Sequence, residues 1–150
     1  MNAENREPGR LLGLDVGSKT IGLAVSDSLG ITAQGLPTWR RKNKRTDLQE
    51  LARVIAECQI REIVVGYPLH MSGGATAGSV RIEEFAEVLR QHFGLPVHLW
   101  DERLTTAEAQ RVLRESEMSI RRRSEVVDRL AAVLILQSFM ENRKNSKGNL

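Results

Sequence analysis

Residues 11–27 read LLGLDVGSKTIGLAVSD, and their pattern decides the fold. Leu11, Leu12 and Leu14 read as a buried strand, Gly17 and Ser18 as a tight turn, and Ile21 to Val25 as a second strand running back. Asp15 stands where the first strand leaves the core. A carboxylate there is costly unless it is paired or holds a cation, so Asp15 is a candidate metal ligand. Asp, Gly and Ser are also ordinary turn residues, and the competing reading has Asp15 accepting hydrogen bonds from the turn amides.

Beyond this hairpin a third extended segment runs from Ile31 to about Trp39, and the three strands are expected to pair antiparallel. A helix from near Thr46 to near Gln59 follows, with Thr46 and Gln49 at capping-box spacing and Leu48, Leu51, Ala52 and Ile55 at helical period. Glu62 to Gly66 holds the unbroken run Ile63, Val64, Val65, which suits a parallel strand buried on both faces, closed by Tyr67 and Pro68. The loop LHMSGGATAG, residues 69–78, leads into a helix from about Ser79 to Phe93. Val80, Phe85, Val88 and Leu89 are its core candidates, and Gly94 stops it. Pro96 to Trp100 is the next strand. Thr105 and Glu108 form a second capping box for a helix to about Glu115. The polar, basic stretch Ser116 to Ser124 reads as a mobile loop, and a last helix runs from Glu125 to about Asn142. This order predicts an α/β fold in which one mixed five-stranded sheet, three antiparallel strands then two parallel, carries helices on both faces. Residues 1–150 form a single domain in this reading, with 1–9 and 144–150 flexible.

A chain of 150 residues with 41% apolar content can fill one sizeable core. The polar start MNAENREPGR lacks the apolar centre of a signal peptide, and no apolar run approaches the roughly 20 residues of a membrane span. A soluble, cytoplasmic protein without a membrane partner is expected. Cys58 is the single cysteine, which excludes an intrachain disulfide, and it reads as a small buried thiol in a helical pattern.

The formal charge of +3 and the isoelectric point near 9.4 are modest, so distribution carries more than the total. Arg40, Arg41, Lys42, Lys44 and Arg45 crowd one stretch, Arg121, Arg122 and Arg123 a second, and Arg143, Lys144 and Lys147 a third. All three fall in predicted loops or tails. Any one run reads as a solvated face, but several around one acidic site favour a polyphosphate ligand such as nucleic acid.

Two further acidic positions stand out. Asp128 is followed at helical spacing by Ala132, Ile135 and Phe139, which sets it on an apolar helix face; it needs a partner, and Arg129, Arg123 or Lys19 could serve as readily as a metal. Asp101 and Glu102 end the strand VHLW, where sites form in sheets with parallel strands, although either could pair with Arg103. Three to four carboxylates from separate segments are what two divalent ions need to hold a phosphodiester and activate water for in-line attack.

Four motifs in order, DVGSKTIGLAVSD, VVGYPLHMSGG, DERLTTAEA and VDRLAAVLILQSF, resemble the YqgF/RuvX family over nearly all of Leu11 to Met140. The resemblance implies an RNase H-like fold related to the RuvC resolvases. It implies a nuclease that resolves Holliday junctions or matures the 5′ end of pre-16S rRNA, using Mg2+ or Mn2+. Carried onto this chain, it makes Asp15 the first-strand ligand, Asp101 or Glu102 the strand-end acid, with Glu102 preferred, and Asp128 the last-helix ligand. RuvC-type relatives carry an acid at the end of the fourth strand, where this chain has Gly66-Tyr67, so the acid must come from the fifth strand. Lys19, Arg41, Lys42, Lys44, Arg103 and Arg121 to Arg123 are the candidate nucleic-acid contacts. Structured RNA or branched DNA is the expected partner, with the ribosome or its precursors behind it, and the chain acts as a monomer or homodimer. The rival functions are a non-catalytic nucleic-acid-binding ribosome-assembly factor and a phosphotransferase built on the same DxG turn.

Overall fold

Leu11 and Leu12 point to opposite sides of the first strand, and each finds a core of its own. A computed structural model describes residues 9–68, 74–101 and 120–148, with side chains for all of these except 120–128 and 146–148. The described elements are β1 (Arg10–Val16), β2 (Thr20–Ser26), β3 (Ala33–Arg40), α1 (Lys44–Glu57), β4 (Ile60–Tyr67), α2 (Ala77–Phe93), β5 (Val97–Asp101) and α3 (Ile120–Gly148). The sheet order is β3-β2-β1-β4-β5. β2 pairs antiparallel with β1 and β3, while β4 pairs parallel with β1 and β5, as the element order predicts.

Strand alternation sorts the side chains into two layers. Leu12, Leu14, Ile21, Leu23, Ile63, Val65 and Val97 face α1 and α2, where Leu51, Val54, Ala86 and Leu89 complete the larger core. Leu11, Ala24 and Val64 face α3, meeting Ala132, Ile135, Leu136 and Met140. Gly13 belongs to this second face. A strand glycine costs about 0.5–1 kcal/mol of conformational entropy, less than the roughly 1.5–3 kcal/mol each from burying its neighbours Leu12 and Leu14. A Cβ on Gly13 would lie 2.9 Å from Leu136 Cβ and 3.1 Å from the Ala132 carbonyl, so the missing side chain is what lets α3 come down onto β1.

Several helix limits differ from the sequence expectations. α1 starts at Lys44, because Asn43 is its N-cap and accepts from Thr46 N through Oδ1 at 2.8 Å; Thr46 sits at the third helical position rather than at the cap. Thr76 and Ser79 form a reciprocal capping box that starts α2 at Ala77, and Gly94 ends it in the left-handed region. Val80 is exposed, not core, and Ile82 and Ala86 take that role beside Leu89. Ile31 is exposed before β3 begins, and Cys58 caps α1 half-buried.

The largest correction concerns the last helix. It spans Ile120–Gly148, so Arg121 to Arg123 lie in its first turns rather than in a loop, and residues 144–148 fall within its bounds. Arg is a good helix former, and a basic run breaks no backbone hydrogen bond. The expected helix from Thr105 to Glu115 lies outside the described residues. Among the described residues no helix is long and apolar enough to cross a membrane.

Candidate active site

The parallel strands β1, β4 and β5 end on the same edge of the sheet, and Asp15 sits there, half-buried, next to the last residue of β1. Its backbone pairs with Gly22 of β2. Leu11 and Gly13 face α3, so alternation sets Asp15 on the α3 side as well. At the end of β4, between β1 and β5, stand Gly66 and Tyr67; neither is an acid, and the Tyr67 hydroxyl donates to Glu83 Oε1 at 2.5 Å.

Asp101 closes β5 in register with Tyr67, just as Val97 pairs with Ile63 and Leu99 with Val65. Those residues face α1 and α2, so Asp101 has the parity opposite to Asp15. His98 and Trp100 take the α3 face, where Trp100 Nε1 donates to Ser138 Oγ at 3.1 Å and both rings pack on Phe139. Glu102 and Arg103 lie outside the described residues. Asp128 is in α3, one turn before Ala132, and its side chain is also outside them, as are those of Arg121 to Arg123. Among the described residues no three Asp, Glu, His or Cys side chains form a metal cluster.

The basic candidates near the hairpin do come together. Thr20 pairs with Arg40 across β2 and β3, and Arg41 N donates to the Lys19 carbonyl at 2.8 Å, which brings the β1–β2 turn against the start of α1. Lys19, Lys42 and Lys44 are exposed on this corner. Arg41 is tied down: its Nη1 donates to the Gly17 carbonyl at 2.8 Å and its Nε to Asp47 Oδ2 at 3.3 Å.

Asp47 has no counterpart among the sequence candidates. It is buried, and its Oδ1 accepts from Trp39 Nε1 at 2.9 Å and from Lys42 N at 3.0 Å. Burial pushes its carboxyl up, but the hydrogen bonds from Lys42 N, Trp39 and Arg41, with the Arg41 charge, outweigh that and hold it below the usual carboxylate range. An Asp in the first turn of a helix is a common dipole complement; Trp39 and Arg41 just upstream were the only other sign of a hub.

Arg143, read as part of a basic tail, belongs to α3 and is ion-paired to Glu62 of β4. It donates to Glu62 Oε2 at 2.8 Å and Oε1 at 3.1 Å, His98 Nε2 lies 3.1 Å from the same Oε1, and the guanidinium covers Phe139. This cluster clamps α3 at the sheet end opposite Asp15.

Residues 9–142 match the family described as "RuvX: Holliday junction resolvase". A protein of Koribacter versatilis (strain Ellin345) is 63% identical over 135 residues, covering 90% of this chain and 88% of that one. One of Thermoanaerobacter pseudethanolicus is 47% identical over 137 residues, covering 91% and 99%; both carry the name "Putative pre-16S rRNA nuclease". Among solved structures, the chain resembles T. thermophilus RuvC in complex with a Holliday junction substrate, with a TM-score of 0.55 at 15% identity over 92% of this chain and 97% of that one. That likeness gives the RNase H-like fold, with its five-stranded mixed sheet. The chain belongs to the RuvX family of Holliday junction resolvases, a family of nucleases.

Proposed function

We propose that the protein is a metal-dependent endonuclease that hydrolyses phosphodiester bonds in structured nucleic acid, with the 5′ end of pre-16S rRNA as the foremost substrate and branched DNA as the second. The observation that carries this reading is Asp15, a half-buried carboxylate at the end of a buried strand, on the face that α3 covers. The path of α3 supports Asp128 as its partner. Arg143 meets Glu62 near the start of β4, and the helix then runs back over β1, where Leu136 and Ala132 meet Gly13, two residues before Asp15. Asp128 is the next turn on that path. The parity of Asp101 favours Glu102 as the acid that β5 contributes, because the residue after Asp101 takes the Trp100 side in a continued strand.

Asp15, Glu102 and Asp128 offer only hard carboxylate oxygens, the donor set that suits Mg2+ or Mn2+. Such an ion supplies Lewis-acid polarisation of the phosphodiester and activation of a water. The chain's own side chains do the rest. Lys19 in the exposed turn and Lys42 and Lys44 beside it meet backbone phosphates, while Arg121 to Arg123 add a second basic stretch at the start of α3. Arg41, held by Gly17 and Asp47, fixes the turn that follows Asp15.

The purified chain with Mg2+ or Mn2+ is expected to cut a pre-16S rRNA fragment and, more slowly, a four-way DNA junction. Cleavage by Asp15→Asn at the wild-type rate refutes the assignment.

A further inference from the structure

On the sheet face away from Asp15, a cleft of about 460 Å³ opens between the β1–β2 turn and α2, within the roughly 300–1,000 Å³ range of small-ligand sites. Its lining divides by chemistry. Ser18 comes from the turn; Arg41, Lys44 and Arg81 supply positive charge against one acid, Glu84; and Val16 and Phe85 are among its apolar members. Among the described residues Lys44 and Arg81 form no ion pair. Lys44 also opens α1, where the helix dipole disfavours a cation, so its charge does nothing for the helix. The Arg41 guanidinium lies 5.4 Å from the Phe85 ring centroid, and its two hydrogen bonds to Gly17 and Asp47 hold it in place.

An aromatic ring and a fixed guanidinium beside unpaired cations are what a nucleotide needs: stacking surfaces for the base and charge for the phosphate. We infer that this cleft holds one nucleotide of a single-stranded segment of the substrate, its base against Phe85 and Arg41 and its phosphate toward Lys44 and Arg81. The inference rests on the nuclease reading. Val16 and Gly17, which line the cleft, directly follow Asp15 in the chain, so a strand engaged at Asp15 needs only to cross the sheet edge to enter. A free nucleotide shares this chemistry, but the cleft's continuity with the Asp15 turn favours the strand. The protein therefore prefers structured nucleic acid that carries an unpaired end or loop next to the scissile bond.

The test uses the full chain with Ca2+ in place of Mg2+, so that binding is read apart from cleavage, and a hairpin RNA with and without a short single-stranded tail. The tail is expected to tighten binding. Phe85→Leu and the exposed-site variant Arg81→Ala should each lose about 5-fold or more of that gain, with blunt-hairpin affinity and circular dichroism unchanged. A 5-iodouridine in the tail should cross-link to the tryptic peptide Ile82 to Arg90, which contains Phe85. Two results overturn the inference and leave the nuclease reading intact: cutting of tailed RNA with no cross-link in that peptide, or a tail effect that neither variant changes. ATP competing as tightly as the tail assigns the cleft to a free nucleotide and also overturns it. Failure to bind either RNA overturns this inference, and failure to bind a four-way DNA junction as well overturns the nuclease reading too.

Discussion

Gly13 of β1 and Leu136 of α3 approach so closely that a Cβ on the glycine would lie 2.9 Å from the leucine's own Cβ. This contact sets the height of α3 above the sheet, two residues from Asp15 and roughly two helical turns from Asp128. Gly13→Ala is therefore expected to lower stability by about 1–3 kcal/mol, as overpacking does, measured as a shift of the urea midpoint. An unchanged midpoint means the helix can ride up freely, and the contact then sets nothing.

The acid set makes a sharper prediction. Asp15→Asn, Asp128→Asn and Glu102→Gln should each slow cleavage by more than ~100-fold, the scale on which loss of a metal's supporting ligands is felt. Asp101→Asn should retain most activity, because its strand parity turns it toward α1 and α2. Rates on one labelled RNA, with folding checked by circular dichroism, decide between the two strand-end acids.

Asp47 is the most consequential buried polar residue in the described chain. Replacing it with alanine strips Trp39 Nε1 and Lys42 N of their acceptor and leaves Arg41 without its carboxylate. The expected cost is about 2–4 kcal/mol of stability. Arg41→Lys keeps the charge but loses the Gly17 tether, so it should weaken cleavage more than folding. Equal effects of the two variants on urea stability contradict the distinction.

Glu62 predicts a pH dependence. The hydrogen bonds and charge of Arg143, aided by His98, hold its carboxyl below the ordinary value of about 4.5. A depressed folded-state pKa adds stability that is complete above that ordinary value and drains away as pH falls through the lower folded one. Glu62→Gln should flatten the stability profile in that acidic window and lower the plateau above it. Urea midpoints from neutral pH down to strongly acid check this, and parallel curves for the two proteins overturn it.

The sheet was readable because its rules are local. An apolar run, a glycine-bearing turn and a second apolar run specify the β1–β2 hairpin, and the unbroken Ile63, Val64, Val65 specifies a buried parallel strand. Helix starts were harder, since Asn43 and Thr46 are both acceptable caps three residues apart and tertiary packing chooses between them. The arginines at 121–123 carry no local sign of a loop beyond their charge, and nothing in an arginine run resists a helix. Within the site, Asp15 was visible as an acid ending a buried strand. The orientation of Asp101 was not, because parity at a strand end depends on register with Tyr67, which is a property of the sheet. Asp47 is not legible for a related reason: its partners Trp39, Arg41 and Lys42 are near in sequence, but only the bend from β3 into α1 turns them onto its carboxylate.

The closing of α3 over β1 has a bearing on biosynthesis. The hairpin, β3 and α1 are neighbours in the chain and can form early, whereas α3 must return across more than a hundred residues to reach Gly13, the slowest kind of contact to make. On the proposed assignment Asp128 arrives only with that return. On that assignment a copy truncated before α3 carries Asp15 without its companion, and is expected to cut nothing even where its hairpin has folded.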